Sequence, residues 1–138
     1  MDSVKFKTVK LHPTEFSLDV WIGDNIEYFS ELFNKRYGDS KEYYKETLTL
    51  NQVMIIDPTD GSECAGERRI VLNLDDFDLV TMVHELFHVV MELSFCSGVE
   101  VTRESQEWGA CMIDYLFREI SDENKYTTVK RTKQIRKK

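Results

Sequence analysis

Proline occurs only twice and glycine six times in these 138 residues, which excludes a collagen-like repeat and a Pro- and Gly-rich low-complexity tract. Cysteine is as scarce. Cys64, Cys96 and Cys111 are odd in number and form no C-x-x-C pair, so neither a disulfide framework nor a cysteine-built zinc knuckle is expected, and a reducing compartment fits. No uninterrupted apolar run approaches the ~20 residues that span a bilayer. Met1-Asp2-Ser3-Val4-Lys5 also lacks the apolar stretch of a signal peptide. The expectation is a cytoplasmic protein with no membrane partner. Histidine is limited to three residues, so a site built from more than one of them has few to draw on.

What is present is an ordinary globular composition, 41% hydrophobic and 12% aromatic, in a chain long enough to bury one core and too short for two enzymatic domains. The net charge of −7 is unevenly placed. Seven of the 18 Lys and Arg lie in residues 125–138, which hold no acid, so residues 1–124 set eleven basic against 25 acidic side chains. This division predicts a single domain over 1–124 and a basic tail over 125–138. An acidic body argues against broad nucleic-acid binding, and the tail is the one segment with the charge to touch RNA or DNA. The plainer reading is a frayed, solvated terminus.

In chain order, Val4 to Leu11 mixes β-branched, aromatic and charged residues in near alternation and reads as an edge-type strand. His12-Pro13 ends it, and His12 is set aside as a turn residue rather than a ligand. Phe16 to Ile22 fits either a short strand or the start of a helix. Asp24 is expected to cap a helix with Glu27 three residues on, an apolar stripe at Ile26, Phe29, Leu32, Phe33 and Tyr37, and Gly38 as its stop. Residues 39–46 read as a charged connection. Leu48 to Ile56 and Arg68 to Leu74 read as neighbouring strands around the turn signal Asp57-Pro58-Thr59-Asp60-Gly61. A sheet edge among them would allow an extended peptide to add as a further strand.

The most informative stretch follows. From about Asp78 to Phe95 the residues Leu79, Val80, Met82, Val83, Leu86, Phe87, Val89, Val90 and Leu93 cover almost the whole helical circumference, which predicts a buried helix. Within it stands His84-Glu85-Leu86-Phe87-His88, an H-E-x-x-H motif. Residues four apart share a helix face, so the two imidazoles can grip one ion, and neutral imidazoles suit Zn²⁺. With one more protein ligand a position is left for water, which the metal acidifies and the adjacent Glu85 can deprotonate. Polar groups buried without partners would cost about 1–3 kcal/mol each, and a bound metal would satisfy them. The competing reading is a pair of core histidines bonded to backbone carbonyls. After Gly98, Thr102 is expected to cap a second helix over about Arg103 to Glu119.

No histidine follows His88, and Met91 and Ser94 occupy the places of the extended H-E-x-x-H-x-x-G-x-x-H pattern. The third donor is then sought among acids of the downstream helix, where Glu107 and Glu104 are the candidates. Glu92 lies a turn beyond His88 and reads as a surface acid. Asp114 either accepts the N–H of a metal-bound histidine or is a plain surface acid. Arg103, Tyr115 and Tyr126 are the donors that could face a developing oxyanion.

The H-E-x-x-H stretch together with Glu107-Trp108-Gly109-Ala110-Cys111-Met112-Ile113-Asp114-Tyr115-Leu116 resembles the zincin-like metallopeptidases of the gluzincin type. It looks most like their small prokaryotic and phage-encoded members. The resemblance covers roughly residues 78–119. It implies an α+β, zincin-like fold in which a small, mostly antiparallel sheet packs on a buried motif helix and a second helix closes the site. It further implies His84, His88 and Glu107 as zinc ligands and Glu85 as general base. Trp108 and Cys111 depart from the family's small-and-aromatic helix.

The function expected is a zinc-dependent peptidase acting on polypeptides, in a host-cell cytoplasm if the protein is phage-encoded. The alternative is a non-catalytic protein of zincin-like fold that binds a partner protein.

Overall fold

The computed structural model describes residues 3–11, 14–38 and 41–130. One five-stranded mixed sheet contains β1 (Ser3–Lys10), β2 (Ser17–Ile22), β3 (Gln52–Ile56), β4 (Arg69–Leu74) and β5 (Thr127–Lys130), in the spatial order β3-β4-β2-β1-β5. The helices are α1 (Ile26–Tyr37), α2 (Lys41–Thr47), α3 (Leu79–Ser97) and α4 (Gln106–Ile120). The fold is α+β. β2 and β4 run parallel, and the other three pairings are antiparallel.

The parallel pair lies at the centre, and all twelve of its residues are buried, as strands covered on both faces must be. Alternation divides their side chains between two cores. Leu18, Val20 and Ile22 of β2 join Ile70, Leu72 and Leu74 of β4 against α3 and α4. Trp21 and Val71 point the other way, against Tyr28, Phe29, Phe33 and Tyr37 of α1 and Tyr44 of α2. The stretch Phe16 to Ile22, open between strand and helix in the sequence, therefore holds a central strand, Ser17–Ile22. Where a charged connection over 39–46 is expected, Lys41–Thr47 forms α2.

The expected β3–β4 neighbours do pair, with Val53 opposite Leu72 and Ile55 opposite Ile70. β3 is an edge strand. The N-cap of α1 is Asn25 rather than Asp24: its Oδ1 accepts from Tyr28 N at 3.0 Å. Gly38 ends the helix in the left-handed region at φ 80°.

Three further expectations are corrected. α4 begins at Gln106, not near Arg103, because Glu100 to Ser105 closes as a turn in which Ser105 Oγ donates to Glu100 O and Thr102 Oγ1 accepts from Ser105 N at 3.3 Å. The start of the basic tail is ordered: after a 3-10 turn at Glu123–Lys125, β5 pairs with β1. Tyr126 anchors this junction, donating from its hydroxyl to Ile120 O at 2.6 Å and meeting Phe77 edge-on. His12 and residues 131–138 lie outside the described residues.

The third correction concerns α3. It is buried along one stripe, Met82, Leu86, Val89, Val90 and Leu93, and open along the opposite one. Val80, Val83, Phe87, Met91 and Phe95 are all exposed, Phe87 at 56% and Phe95 at 85%. One sheet face and α4 alongside cover only part of its circumference. By length and composition α3 is apolar enough to cross a membrane, and 39% of that window is buried inside the molecule.

Candidate functional site

The motif lies in the middle of α3, and both ends of that helix are fixed by local chemistry. Asp78 caps the start, accepting from Thr81 Oγ1 at 2.6 Å and from Val80 N at 3.4 Å. The Thr81 bond leads in holding the Asp78 carboxyl below its ordinary value. Gly98 ends the helix at φ 75°, a conformation that L side chains rarely adopt.

His84 and His88 sit on successive turns with ring centroids 5.2 Å apart and planes at 68°. Both are exposed, the His84 side chain at 69%. They are not the buried core histidines of the competing reading. Glu85 differs sharply. Its side chain is 9% exposed, and its Oε1 lies 3.8 Å from His84 Nε2. The motif thus presents two imidazoles to solvent and holds one carboxylate beside them, withdrawn from it.

Glu85, Glu92 and Cys96 follow one another at steps of seven and four along one flank of α3. That flank borders the edge strand. Burial pushes the Cys96 thiol up, and the charges that act on it include Arg68 and Asp57, which close the β3–β4 turn through an ion pair of 2.7 Å. Val53 and Ile55 of β3 pack against the same core as α3. The edge of the sheet and the Glu85 flank of the motif helix are therefore neighbours.

The proposed third donor stands apart. Glu107 is exposed in the first turn of α4, and its Oε1 accepts from Cys111 Sγ at 3.5 Å. That bond pushes the Cys111 thiol up. Among the described residues no three His, Cys, Asp or Glu side chains group closely enough to hold a metal, so neither Glu107 nor Glu104 is brought to the histidine pair here.

Asp114 is an exposed acid paired with Arg118 at 3.3 Å. Two of the three oxyanion candidates are committed to backbone: Tyr115 donates to Lys10 O at 2.9 Å and Tyr126 to Ile120 O. Cys64, Cys96 and Cys111 are free thiols.

Sequence reasoning missed a second polar constellation, on the α1 side of the sheet. Asp19, in the middle of β2, has no solvent exposure. It accepts from Tyr37 Oη at 2.6 Å, Arg36 Nε at 2.8 Å, Thr8 Oγ1 at 2.8 Å and Arg69 at 3.1 Å. The signal was a lone acid inside the apolar stretch Leu18 to Ile22. Comparison with protein-family models, with curated proteins and with solved structures finds no match to this chain.

Proposed function

We propose that the chain is a zinc-dependent peptidase of zincin-like fold, with His84, His88 and Glu107 as metal ligands and Glu85 as general base. The observation that carries this reading is the pairing of two exposed imidazoles 5.2 Å apart on one helix face, with a shielded carboxylate beside them. Imidazole nitrogens with one carboxylate form a donor set that suits zinc and leaves a coordination position open. Zinc bound there would polarise a peptide carbonyl and acidify a water. Glu85 would take that water's proton and deliver it to the leaving amine, and its low exposure keeps it beside the ligands rather than solvated away from them.

Glu107 completes the set only if the first turn of α4 closes on the histidines and gives up its Cys111 contact. Glu104 is the alternative donor on the same segment. The outer edge of β3 offers backbone groups to an extended polypeptide along the flank that carries Glu85. The substrate is thus an unfolded or extended segment rather than a compact domain.

The test is hydrolysis of an unfolded protein such as reduced casein, with and without chelator. Glu85→Gln is expected to retain metal and lose at least about a hundredfold in rate. Cleavage at the parent rate would remove Glu85 from the role of base.

A non-catalytic protein that binds a partner is the second reading. The exposed apolar row from Val80 to Phe95 favours it, because contiguous apolar surface commonly marks an interaction site. Stoichiometric capture of a partner protein, with no turnover in the presence of zinc, is the outcome it requires.

A further inference from the structure

On the sheet face covered by α1 and α2, one cross-strand row stays outside the helical layer. Lys10 of β1 is opposite Ser17 of β2, and Ser17 is opposite Arg69 of β4, so the three side chains point to the same side. α1 ends at Tyr37, whose hydroxyl reaches Asp19 in the neighbouring part of the sheet. Beyond it lies a cavity of about 520 Å³, lined by Thr8, Lys10, Glu15, Ser17, Glu67 and Arg69, and by Arg68, whose guanidinium is already paired with Asp57 at 2.7 Å. That volume is in the range of small-molecule sites, about 300–1,000 Å³.

The cavity wall is held rigidly. Arg69 is 9% exposed and donates to Asp19 Oδ1 at 3.1 Å and Glu67 Oε2 at 2.6 Å. Its buried Nε has no acceptor among the described residues. Thr8 is tied to the same Asp19. A buried carboxylate held by two guanidiniums adds little stability over a well-packed apolar replacement. What it secures is position, the quality that binding sites need from their supporting residues.

Lys10 and Glu15 carry opposite charges and line the same cavity, yet neither forms an ion pair with any described side chain. We propose that this cavity binds a small zwitterion of short-peptide size. Its carboxylate would be taken by Lys10 with the Ser17 hydroxyl, and its ammonium by Glu15 with Glu67. Charge-assisted bonds at both ends select a molecule that carries both charges, and exclude a simple anion as the preferred ligand. The site lies across the sheet from the motif helix and does not depend on the peptidase reading.

Calorimetric titration with four probes tests it: trialanine, N-acetyl-trialanine, trialanine amide and inorganic phosphate. Trialanine is expected to bind saturably, with each blocked peptide and phosphate weaker by about tenfold or more. Lys10→Ala should abolish the preference for trialanine over its amide, and Glu15→Ala the preference over the acetylated form. Both residues are exposed, so the fold should survive, which circular dichroism checks. No saturable binding of trialanine, equal binding of the blocked peptides, phosphate binding as tightly as trialanine, or preferences unchanged in the variants would each overturn the proposal.

Discussion

Asp19 concentrates four donors around one carboxylate that has no contact with solvent. In Asp19→Ala the guanidiniums of Arg36 and Arg69 would face each other with no anion between them. Breaking a buried pair by removing one partner costs about 3–5 kcal/mol, to be read as a fall in the urea midpoint. A loss below about 1 kcal/mol would mean that water replaces the carboxylate. Burial, and after it the Asp19 charge, hold the Tyr37 phenol well above its ordinary value, so it stays a donor across physiological pH.

A second residue pair has a pH signature. Lys7 Nζ donates to Glu119 Oε2 at 2.9 Å and to Glu119 O at 2.6 Å, and the side-chain bond leads in lowering the Glu119 carboxyl from its ordinary 4.5. The folded value is the depressed one. The stabilisation is therefore complete above the unfolded value and fades as pH falls through the folded value. Between about pH 5 and pH 3, where unperturbed glutamates titrate, the parent should lose more stability than Glu119→Gln. Parallel loss in the two proteins would show that the bond does not couple to the titration.

At the scale of elements, two glycines make opposite predictions. A Cβ on Gly38 would lie 2.1 Å from Thr59 Oγ1 and 2.7 Å from Ser62 Cβ, at a φ of +80°. Gly38→Ala should cost more than about 1 kcal/mol. Gly109 lies inside α4, where a Cβ meets only Val101 methyls, at 3.6 and 3.9 Å. Gly109→Ala should stabilise by about 0.5–1 kcal/mol through the lower helix propensity of glycine. Thermal midpoints moving in opposite directions confirm the pair; a fall in both would show that α4 does not tolerate the added methyl beside Val101.

The elements also show what a sequence can convey. The α1 stop at Gly38, the α3 start near Asp78 and the α3 stop at Gly98 were legible because each rests on a local rule about a few residues and their own backbone. The apolar stripe of α1 was legible for the same reason. The exposure of α3 was not. Counting apolar residues around its axis says how much surface wants cover, whereas the number of neighbours that supply cover is set by topology. β5 was hidden likewise, since four residues, Thr127 to Lys130, gain strand geometry only by pairing with a strand some 120 residues earlier in the chain. Of the candidate site, the His84–His88 spacing and the nearness of Glu85 follow from helix geometry, but the place of Glu107 depends on how α4 docks.

The whole molecule is three layers, with α1 and α2 on one face of the sheet and α3 and α4 on the other. This arrangement gives the two sites different physical characters. The α1 face ends in a polar cavity whose wall is held by a buried ionic cluster. The α3 face presents imidazoles within apolar surface beside a sheet edge. Its proposed ligands come from two elements, so metal binding there requires the start of α4 to close on α3.

Zinc content of the purified chain after equilibration with zinc and gel filtration tests that most directly, measured beside His84→Ala and Glu107→Ala. About one zinc per parent chain is expected, with near-complete loss in His84→Ala and strongly reduced retention in Glu107→Ala. A parent that retains no zinc, or a His84→Ala variant that retains as much as the parent, would contradict it.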